Sequence, residues 1–207
     1  RSSTRSRRPP DCSGHRSSAG ECYNGAMTNE ITDYEDLTGM QLTDEVLEDF
    51  VRRGGECIFS WTNKDGFPVG VVVAYVWRDG KFWTTCAERR ARVPALHARP
   101  QSGVVINRDR KTASYKGNSI VHTHDDADWD EVKTWFYAAL SGTEQRPDDV
   151  NARNFEKFLD SPHRVIIETE ANLVVSFDVA KFNEFTARAI AAGLGVVGPV
   201  GDVDPLH

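Results

Sequence analysis

Three arginines in one short segment are the residues of this sequence best suited to binding an anion. Arg89, Arg90 and Arg92 follow a strand-like run that ends at Ala87, and they precede Ala95-Leu96-His97, which has a helix-forming composition. Guanidinium groups donate forked hydrogen bonds to phosphate, and the start of a helix adds unpaired backbone N–H groups. We therefore expect a phosphate-bearing ligand at this point in the chain.

The same arginines have a plainer interpretation, in which they only solvate the start of a surface helix. The formal net charge of the chain is −6, and the first 26 residues, with five Arg and two acidic residues, contribute +3, which leaves −9 for residues 27–207. Nonspecific binding of nucleic acid requires a basic surface, so this charge disfavours a nucleic-acid partner. A local cluster of arginines in an acidic protein favours a small anionic ligand.

The cysteines do not form a metal-binding or disulfide pattern. Cys12 and Cys22 lie among the first 26 residues, while Cys57 and Cys86 occur singly in strand-like runs, without CxxC spacing. We interpret the latter two as buried free thiols, which fits a reducing cytoplasm. The alternative is a catalytic Cys86, because neighbouring arginines lower the pKa of a thiol.

A second segment with chemical potential is His122-Thr-His124-Asp-Asp126, which resembles the start of the HxHxD zinc motif of metallo-β-lactamases. On a strand, His122 and His124 project from the same face and could share a metal ion. The residue that should complete the motif as His is Ala127, and the spacing of the later histidines fits no two-metal site. We therefore favour two solvent-facing histidines followed by an acidic helix start, with no metal, and keep a metal-dependent hydrolase as an alternative.

The elements that must position these residues are mainly strands, with helices between them. A helix capped by Thr43 is expected to end at Gly54-Gly55, and the turn signal Asp79-Gly80 joins two strands as a hairpin. The helix at 151–159 is expected to bury Phe155, Phe158 and Leu159. Strands are predicted at 57–62, 68–77, 81–87, 102–108, 112–123, 164–169 and 172–178, and helices at 129–141, 151–159 and 179–192. This order predicts a closed antiparallel barrel with helices outside, in the class mainly β with α.

Length and composition indicate one folded domain over residues 27–207. The chain has 207 residues, of which 39% are hydrophobic and 27% charged, and no apolar run approaches the roughly 20 residues of a membrane-spanning helix. Residues 1–26 are rich in Arg, Ser, Gly and Pro, and we predict that they are a disordered extension. Because Met27 is a plausible start, the extension is interpreted as upstream or non-native sequence, with a functional basic tail as the alternative.

Several segments, taken in order, resemble the flavin-binding split-barrel family around pyridoxamine 5'-phosphate oxidase. The resemblance extends from about Leu42 to Phe185, and its central part is the strand, hairpin and strand that lead to the arginines. Many relatives in the flavin/deazaflavin branch have Trp-Asp where this chain has Phe177-Asp178. The matching residues and segments are Arg92, Leu96, Pro100, Val104-Val105-Ile106, Ala113–Gly117, Arg164–Thr169 and Val174–Asp178.

The resemblance implies a split β-barrel that binds FMN, or the deazaflavin F420, at the interface of a homodimer. It also implies transfer of hydride to or from a small organic substrate. The resemblance implies that Arg90 and Arg92 bind the phosphate and that the strand backbone at Val71 and Val72 lies against the flavin ring. It also implies that the hydroxyls of Thr84 and Thr85 contact the flavin, and that Thr112 contacts it across the dimer interface.

The chain departs from the oxidases proper, because it has no Arg-Leu-x-Pro segment near its end. The resemblance therefore does not extend to oxidation of vitamin B6. A non-catalytic protein of the same fold, which binds or senses a flavin or haem, is the alternative from a different functional class.

Overall fold

The computed structural model describes residues 37–193, so the extension predicted for residues 1–26 lies outside the described part of the chain. Six strands form a closed barrel in the order β1-β2-β3-β6-β5-β4, and every neighbouring pair that has a defined register is antiparallel. The prediction of an antiparallel barrel is confirmed. The strands are β1 (Gly55–Thr62), β2 (Pro68–Arg78), β3 (Lys81–Ala87), β4 (Gln101–Arg108), β5 (Lys111–His122) and β6 (Arg164–Asp178).

Helices flank the barrel, and most begin at a side-chain cap. The predicted cap Thr43 accepts a hydrogen bond from the backbone N–H of Val46 at 3.4 Å, while Asp149 and Asp178 cap later helices. Within residues 37–193, no helix is long and apolar enough to cross a membrane. The helices are α1 (Asp44–Arg52), α2 (Arg92–Ala98), α3 (Trp129–Ser141), α4 (Val150–Leu159) and α5 (Val179–Ala191), and a 3-10 turn (Thr38–Met40) precedes α1.

Two apolar clusters stabilise this arrangement. The larger fills the barrel, where fully buried residues such as Phe59 and Phe82 pack with residues of α1 and α2. The smaller lies outside the barrel, where α3 covers Trp83 of β3 and Ile166 of β6. Because neighbouring residues of a strand point to opposite faces, β3 contributes to both clusters. One side of the barrel wall is thus covered by helices.

The structure corrects the prediction of two separate strands at 164–169 and 172–178. β6 is continuous, and it accommodates a shift in register opposite Lys116 and Gly117 of β5. A Cβ atom at Gly117 would lie 1.9 Å from the backbone oxygen of Glu170, so the two strands approach each other closely there. The residues between the two predicted strands are therefore paired, and they form no turn.

The apolar face predicted for α4 is also wrong in part. Ala152 and Leu159, which are seven residues apart and thus on one side of the helix, are buried. Phe155 and Phe158 lie on another side, where 44% and 62% of their surface is exposed. Periodicity alone could not decide which of the two apolar sides of α4 would face the barrel.

Replacement of Gly117 by Ala tests the close approach of β5 and β6. We expect a loss of about 3 kcal/mol or more in the free energy of unfolding, because the added methyl group would overlap backbone atoms that cannot rotate away. Gly39→Ala is the matched control, since a Cβ atom there meets nothing within 4 Å. Urea unfolding followed by circular dichroism measures both changes, and equal stability of the two variants would contradict the observed register.

Candidate functional site

The three arginines lie at the end of β3, but their side chains go to different places. Arg89 lines an open cleft together with Ser161 and His163, and Arg90 is exposed. Arg92, the first residue of α2, is half-buried, and its Cζ lies 5.7 Å from the centroid of the Trp61 ring. Only Arg92 of the three therefore enters the apolar interior.

A cavity of about 530 Å³ lies between α2 and the β1–β2 turn, next to Trp61. Arg99, which follows α2, lines it and donates a hydrogen bond from Nη2 to the backbone oxygen of Thr62 at 3.3 Å. The Nε atoms of Arg92 and Arg99 are buried and have no hydrogen-bond partner within residues 37–193. Besides Trp61 and Arg99, the lining residues are Asn63, Lys64, Asp65, Val69, Ala91, Pro94, Ala95 and Ala98.

Sequence reasoning did not identify Trp61 or Arg99 as site residues. The signal for Arg99 was present, because residues 92 and 99 are seven positions apart and a helix brings such positions to the same side. Trp61 gave no signal, since an aromatic residue in a strand most often belongs to the core. It is indeed 8% exposed and is a member of the core cluster.

The start of α2 offers fewer free backbone donors than we expected. The N–H of Val93 donates to the backbone oxygen of Arg90 at 2.9 Å, and Pro94 has no N–H group. The helix is also only seven residues long. Anion binding here would therefore depend on the guanidinium groups.

Cys86 is buried beside the arginines, at 5% exposure. Burial raises the pKa of the Cys86 thiol, although Arg92, Arg164 and Arg90 act in the opposite direction. Burial also raises the pKa of Cys57, to about 12. The interpretation of both as buried free thiols is confirmed, and the environment of Cys86 does not favour the thiolate that a nucleophile requires.

The four strand residues proposed for the flavin do not share one surface. The Val71 side chain packs against the core inside the barrel, whereas 64% of Val72 is exposed on the outside. Thr84 is 2% exposed, and the alternation of β3 places it inside with the core residues. The hydroxyl of Thr85 donates to the backbone oxygen of Val165 at 2.7 Å.

Thr112 lies far from the arginines within one chain. Thr112 is near the start of β5, where it pairs with Asn107 and Phe177. The chain that follows α2 reaches the other end of β5, where the backbone oxygen of Pro100 accepts a hydrogen bond from the backbone N–H of Ser119. Ser119 lies seven positions after Thr112 along β5, which corresponds to about 23 Å. Thr112 therefore lies toward the opposite end of β5 from the residue that follows α2.

The two histidines do not converge. His122 is not solvent-facing as predicted, because its side chain is 11% exposed, its Nε2 lies 3.1 Å from Oε2 of the buried Glu168, and its ring packs on Trp83. His124 is exposed, and the carboxylate of Asp126 accepts hydrogen bonds from Thr123. Within residues 37–193, no three potential metal ligands lie close enough to hold an ion.

The outer surface of the barrel has a row of four apolar residues and one serine that runs across five strands. Register places Val72 beside Ile58, Ile58 beside Val105, Val105 beside Ser114 and Ser114 beside Val175, and we call these five residues the outer row. Val72, Ile58 and Val175 are 64%, 44% and 55% exposed. Three exposed apolar side chains in one register make the outer row a candidate binding surface.

Thiol labelling tests the environment of the cysteines. Because only the thiolate reacts, the raised pKa of Cys57 should slow its alkylation at pH 8 by about 1000-fold or more relative to a free thiol, and Cys86 should also react slowly. Iodoacetamide labelling followed by peptide mass spectrometry measures each site, with urea-unfolded protein as the reference. Rapid labelling of Cys86 in the folded protein would instead support a reactive nucleophile.

Comparison of the chain with models of known protein families, and with curated proteins, gives no match. Among solved structures it is similar to a conserved hypothetical protein from Mycobacterium tuberculosis, with a TM-score of 0.58 and 15% identity over 80% of this chain and 96% of that one. It is also similar to a pyridoxamine 5'-phosphate oxidase-related, FMN-binding protein from Nostoc punctiforme, with a TM-score of 0.51 and 12% identity over 68% of this chain and 88% of that one. At these identities the similarity is one of fold. The chain therefore has the split-barrel fold of the proteins related to pyridoxamine 5'-phosphate oxidase.

Proposed function

We propose that this protein is a flavin-dependent oxidoreductase that binds FMN, or the deazaflavin F420, and transfers hydride to or from a small organic substrate. The observation that carries the proposal is Arg92, whose guanidinium group enters the interior beside Trp61 and leaves a buried Nε without a partner within residues 37–193. An FMN-binding protein of the same fold supports the choice of ligand class.

The residues present fit a phosphate-bearing group. A buried charged donor without a partner is unfavourable by about 1 to 3 kcal/mol or more, and a phosphate oxygen would remove that cost. The cavity of about 530 Å³ that Trp61 lines together with Arg99 and Lys64 lies within the usual range for small-molecule sites, roughly 300 to 1,000 Å³. Charge and space are therefore available together.

Each part of the site would have a separate role. The flavin, when bound, supplies the hydride chemistry. Arg90 and Arg92 hold its phosphate, the apolar side of α2 excludes water, and the backbone of β2 at Val71 and Val72 supports the ring. Buried free thiols suit a reducing compartment, which supports the proposal of a cytoplasmic location.

We further propose that the protein is a homodimer in which the outer row meets its copy. A two-fold axis brings the same surface of both subunits together, so an apolar row that is exposed in one chain is buried by its own equivalent. In that arrangement, Thr112 of one subunit would reach the cofactor held by the arginines of the other.

The flavin proposal predicts that FMN binding depends on Arg90 and Arg92. Charged hydrogen bonds contribute roughly 1.5 to 3 kcal/mol each, so replacement of both arginines by Ala should weaken FMN binding by about two to four powers of ten. Quenching of flavin fluorescence measures the affinity. Arg52→Ala is the matched control, since Arg52 is exposed on α1 and pairs with Glu48.

Unchanged FMN affinity in the folded double variant would remove these arginines from the phosphate site. The absorption spectrum of the purified protein separates the ligand classes, because a haem-bound protein has a Soret band where a flavoprotein has flavin bands. Reduction by a nicotinamide donor or by reduced F420, followed by turnover, then distinguishes an enzyme from a binding protein.

The dimer proposal predicts that a charge in the outer row dissociates the subunits. Val175→Lys would bury two positive charges at a two-fold interface, which should raise the dimer dissociation constant by at least about 100-fold. Sedimentation velocity measures the change. Ile190→Lys on α5 is the control, because Ile190 is 59% exposed and Val175 is 55% exposed, and a dimer that survives Val175→Lys would place the interface elsewhere.

A further inference from the structure

One side of α4 carries an aromatic surface that the barrel does not cover. Phe155 and Phe158 are 44% and 62% exposed, and their rings stack at a centroid distance of 6.3 Å. Ala152 and Leu159, on the side that faces the barrel, are buried and hold the helix in place. A large part of both rings therefore stays in water, and contact with a partner would bury it.

Arg164, the first residue of β6, lies against this aromatic surface. Its Cζ is 5.3 Å from the centroid of the Phe158 ring, and its Nε donates a hydrogen bond to Oγ of Ser161 at 3.4 Å. These two contacts restrain the guanidinium group. Within residues 37–193 its Nη groups make no hydrogen bond or ion pair, so they can donate to a carboxylate that a partner brings in.

An open cleft of about 680 Å³ adjoins Arg164, because Ser161 lines it as well. Arg89 in this cleft is exposed, and its side chain makes no hydrogen bond or ion pair with the described residues. Glu88 is the one carboxylate among the described lining residues, and its Oε2 lies 3.3 Å from Nδ1 of His163. The cleft thus offers a second guanidinium group without a partner in the described part of the chain. The other lining residues are Ala87 and Pro162.

The charge of the whole chain makes these two arginines an exception. The sequence has 31 acidic and 25 basic residues, yet neither Arg89 nor Arg164 pairs with a carboxylate within residues 37–193. Arg52 of α1, by contrast, pairs with Glu48. A carboxylate from outside the chain would give each of the two arginines a charge-assisted hydrogen bond that the described fold does not provide.

The arrangement discriminates between possible partners. A second copy of the chain, related by a two-fold axis, would bring the arginines of both subunits to one interface, where like charges repel. Nucleic acids and anionic membranes present extended negative surfaces, which the net charge of −6 on the chain repels. A short acidic segment fits, because its carboxylates can pair with the two guanidinium groups while an apolar side chain covers Phe158.

We propose that Phe155 and Phe158, together with Arg89 and Arg164, form a docking surface for an acidic peptide segment of a partner protein. Carboxylates of the segment pair with the guanidinium groups, and an aromatic or aliphatic side chain packs on Phe158. The surface uses none of the residues to which the flavin function is assigned. The two proposals therefore stand or fall independently.

The probe is a fluorescein-labelled peptide of about ten residues, in which Glu alternates with Phe and Leu, and fluorescence anisotropy measures its affinity. Phe158→Ser should weaken binding by about 10-fold or more, because it removes the aromatic anchor. Arg89→Ala should weaken it by about 10-fold, because it removes a charged hydrogen bond.

Val150→Ser and Arg110→Ala are the matched controls. Val150 lies at the other end of α4 and is 59% exposed, close to the value for Phe158, while Arg110 is exposed in the turn between β4 and β5. Both should leave binding within about twofold. Circular dichroism confirms that each variant is folded, and because all four positions are exposed, the thermal midpoints should match that of the wild-type protein.

Two altered peptides separate charge from apolar contact. Replacement of every Glu of the peptide by Gln, or of Phe and Leu by Ser, should weaken binding to the wild-type protein by at least about 10-fold. Equal binding of the Gln peptide, or equal losses in Phe158→Ser and Val150→Ser, would overturn the proposal. Tighter binding of a thymidine oligonucleotide, or of vesicles that contain phosphatidylglycerol, would also overturn it and assign the surface to nucleic acid or to a membrane.

Discussion

The pairing of β6 with both β3 and β5 is the constraint on which the barrel depends. β3 and β5 belong to two hairpins that share no ladder with each other, and β6 joins them along its length. The join requires close contact at Gly117, where the backbone of Glu170 occupies the space of a side chain. Closure in turn fixes the end of β3, and with it the position at which α2 and its arginines begin.

Closure also determines the environment of those arginines. A guanidinium group on an open surface would be hydrated, and its hydrogen bonds would add little to binding. Here α2 lies against the barrel with Val93 and Leu96 in the core, so Arg92 is carried inward with them. The same packing that stabilises the helix therefore removes water from the arginine. An anion that binds there gains more free energy from each hydrogen bond than it would at the surface.

Much of the fold could be predicted from the sequence because local signals agreed with tertiary packing. The hairpin at Asp79-Gly80 has φ values of 53° and 76°, as a two-residue turn of this chemistry requires, and the strand 81–87 and helix 129–141 were correctly delimited. The continuity of β6 could not be predicted, since it depends on a partner strand far along the chain. The alternation of β3 was visible, but which of its faces α3 would cover was not.

The candidate site was less predictable for a related reason. Arg92 was identified from its type and position, whereas the burial that distinguishes it from Arg89 and Arg90 is a property of the folded chain. His122 shows the opposite case, because the sequence favoured a solvent-facing side chain, and the side chain is instead buried against Glu168, a residue of β6. Residue type indicates which chemistry is available, and only the three-dimensional contacts decide which groups use it.

The position of β6 after the other five strands also has a consequence for how the barrel folds. Ala87 pairs with Arg164, so the edge of β3 stays unpaired until a segment that is synthesised much later has emerged. Until β6 emerges, β1 to β5 expose strand edges and the apolar residues of an open barrel, a state that is prone to aggregation. Non-local pairing of this kind makes folding slow. The segment of α3 and α4 lies between β5 and β6, and its contacts are local. We expect these helices to form before β6 pairs, and their packing would bring β6 close to the unpaired edges of β3 and β5.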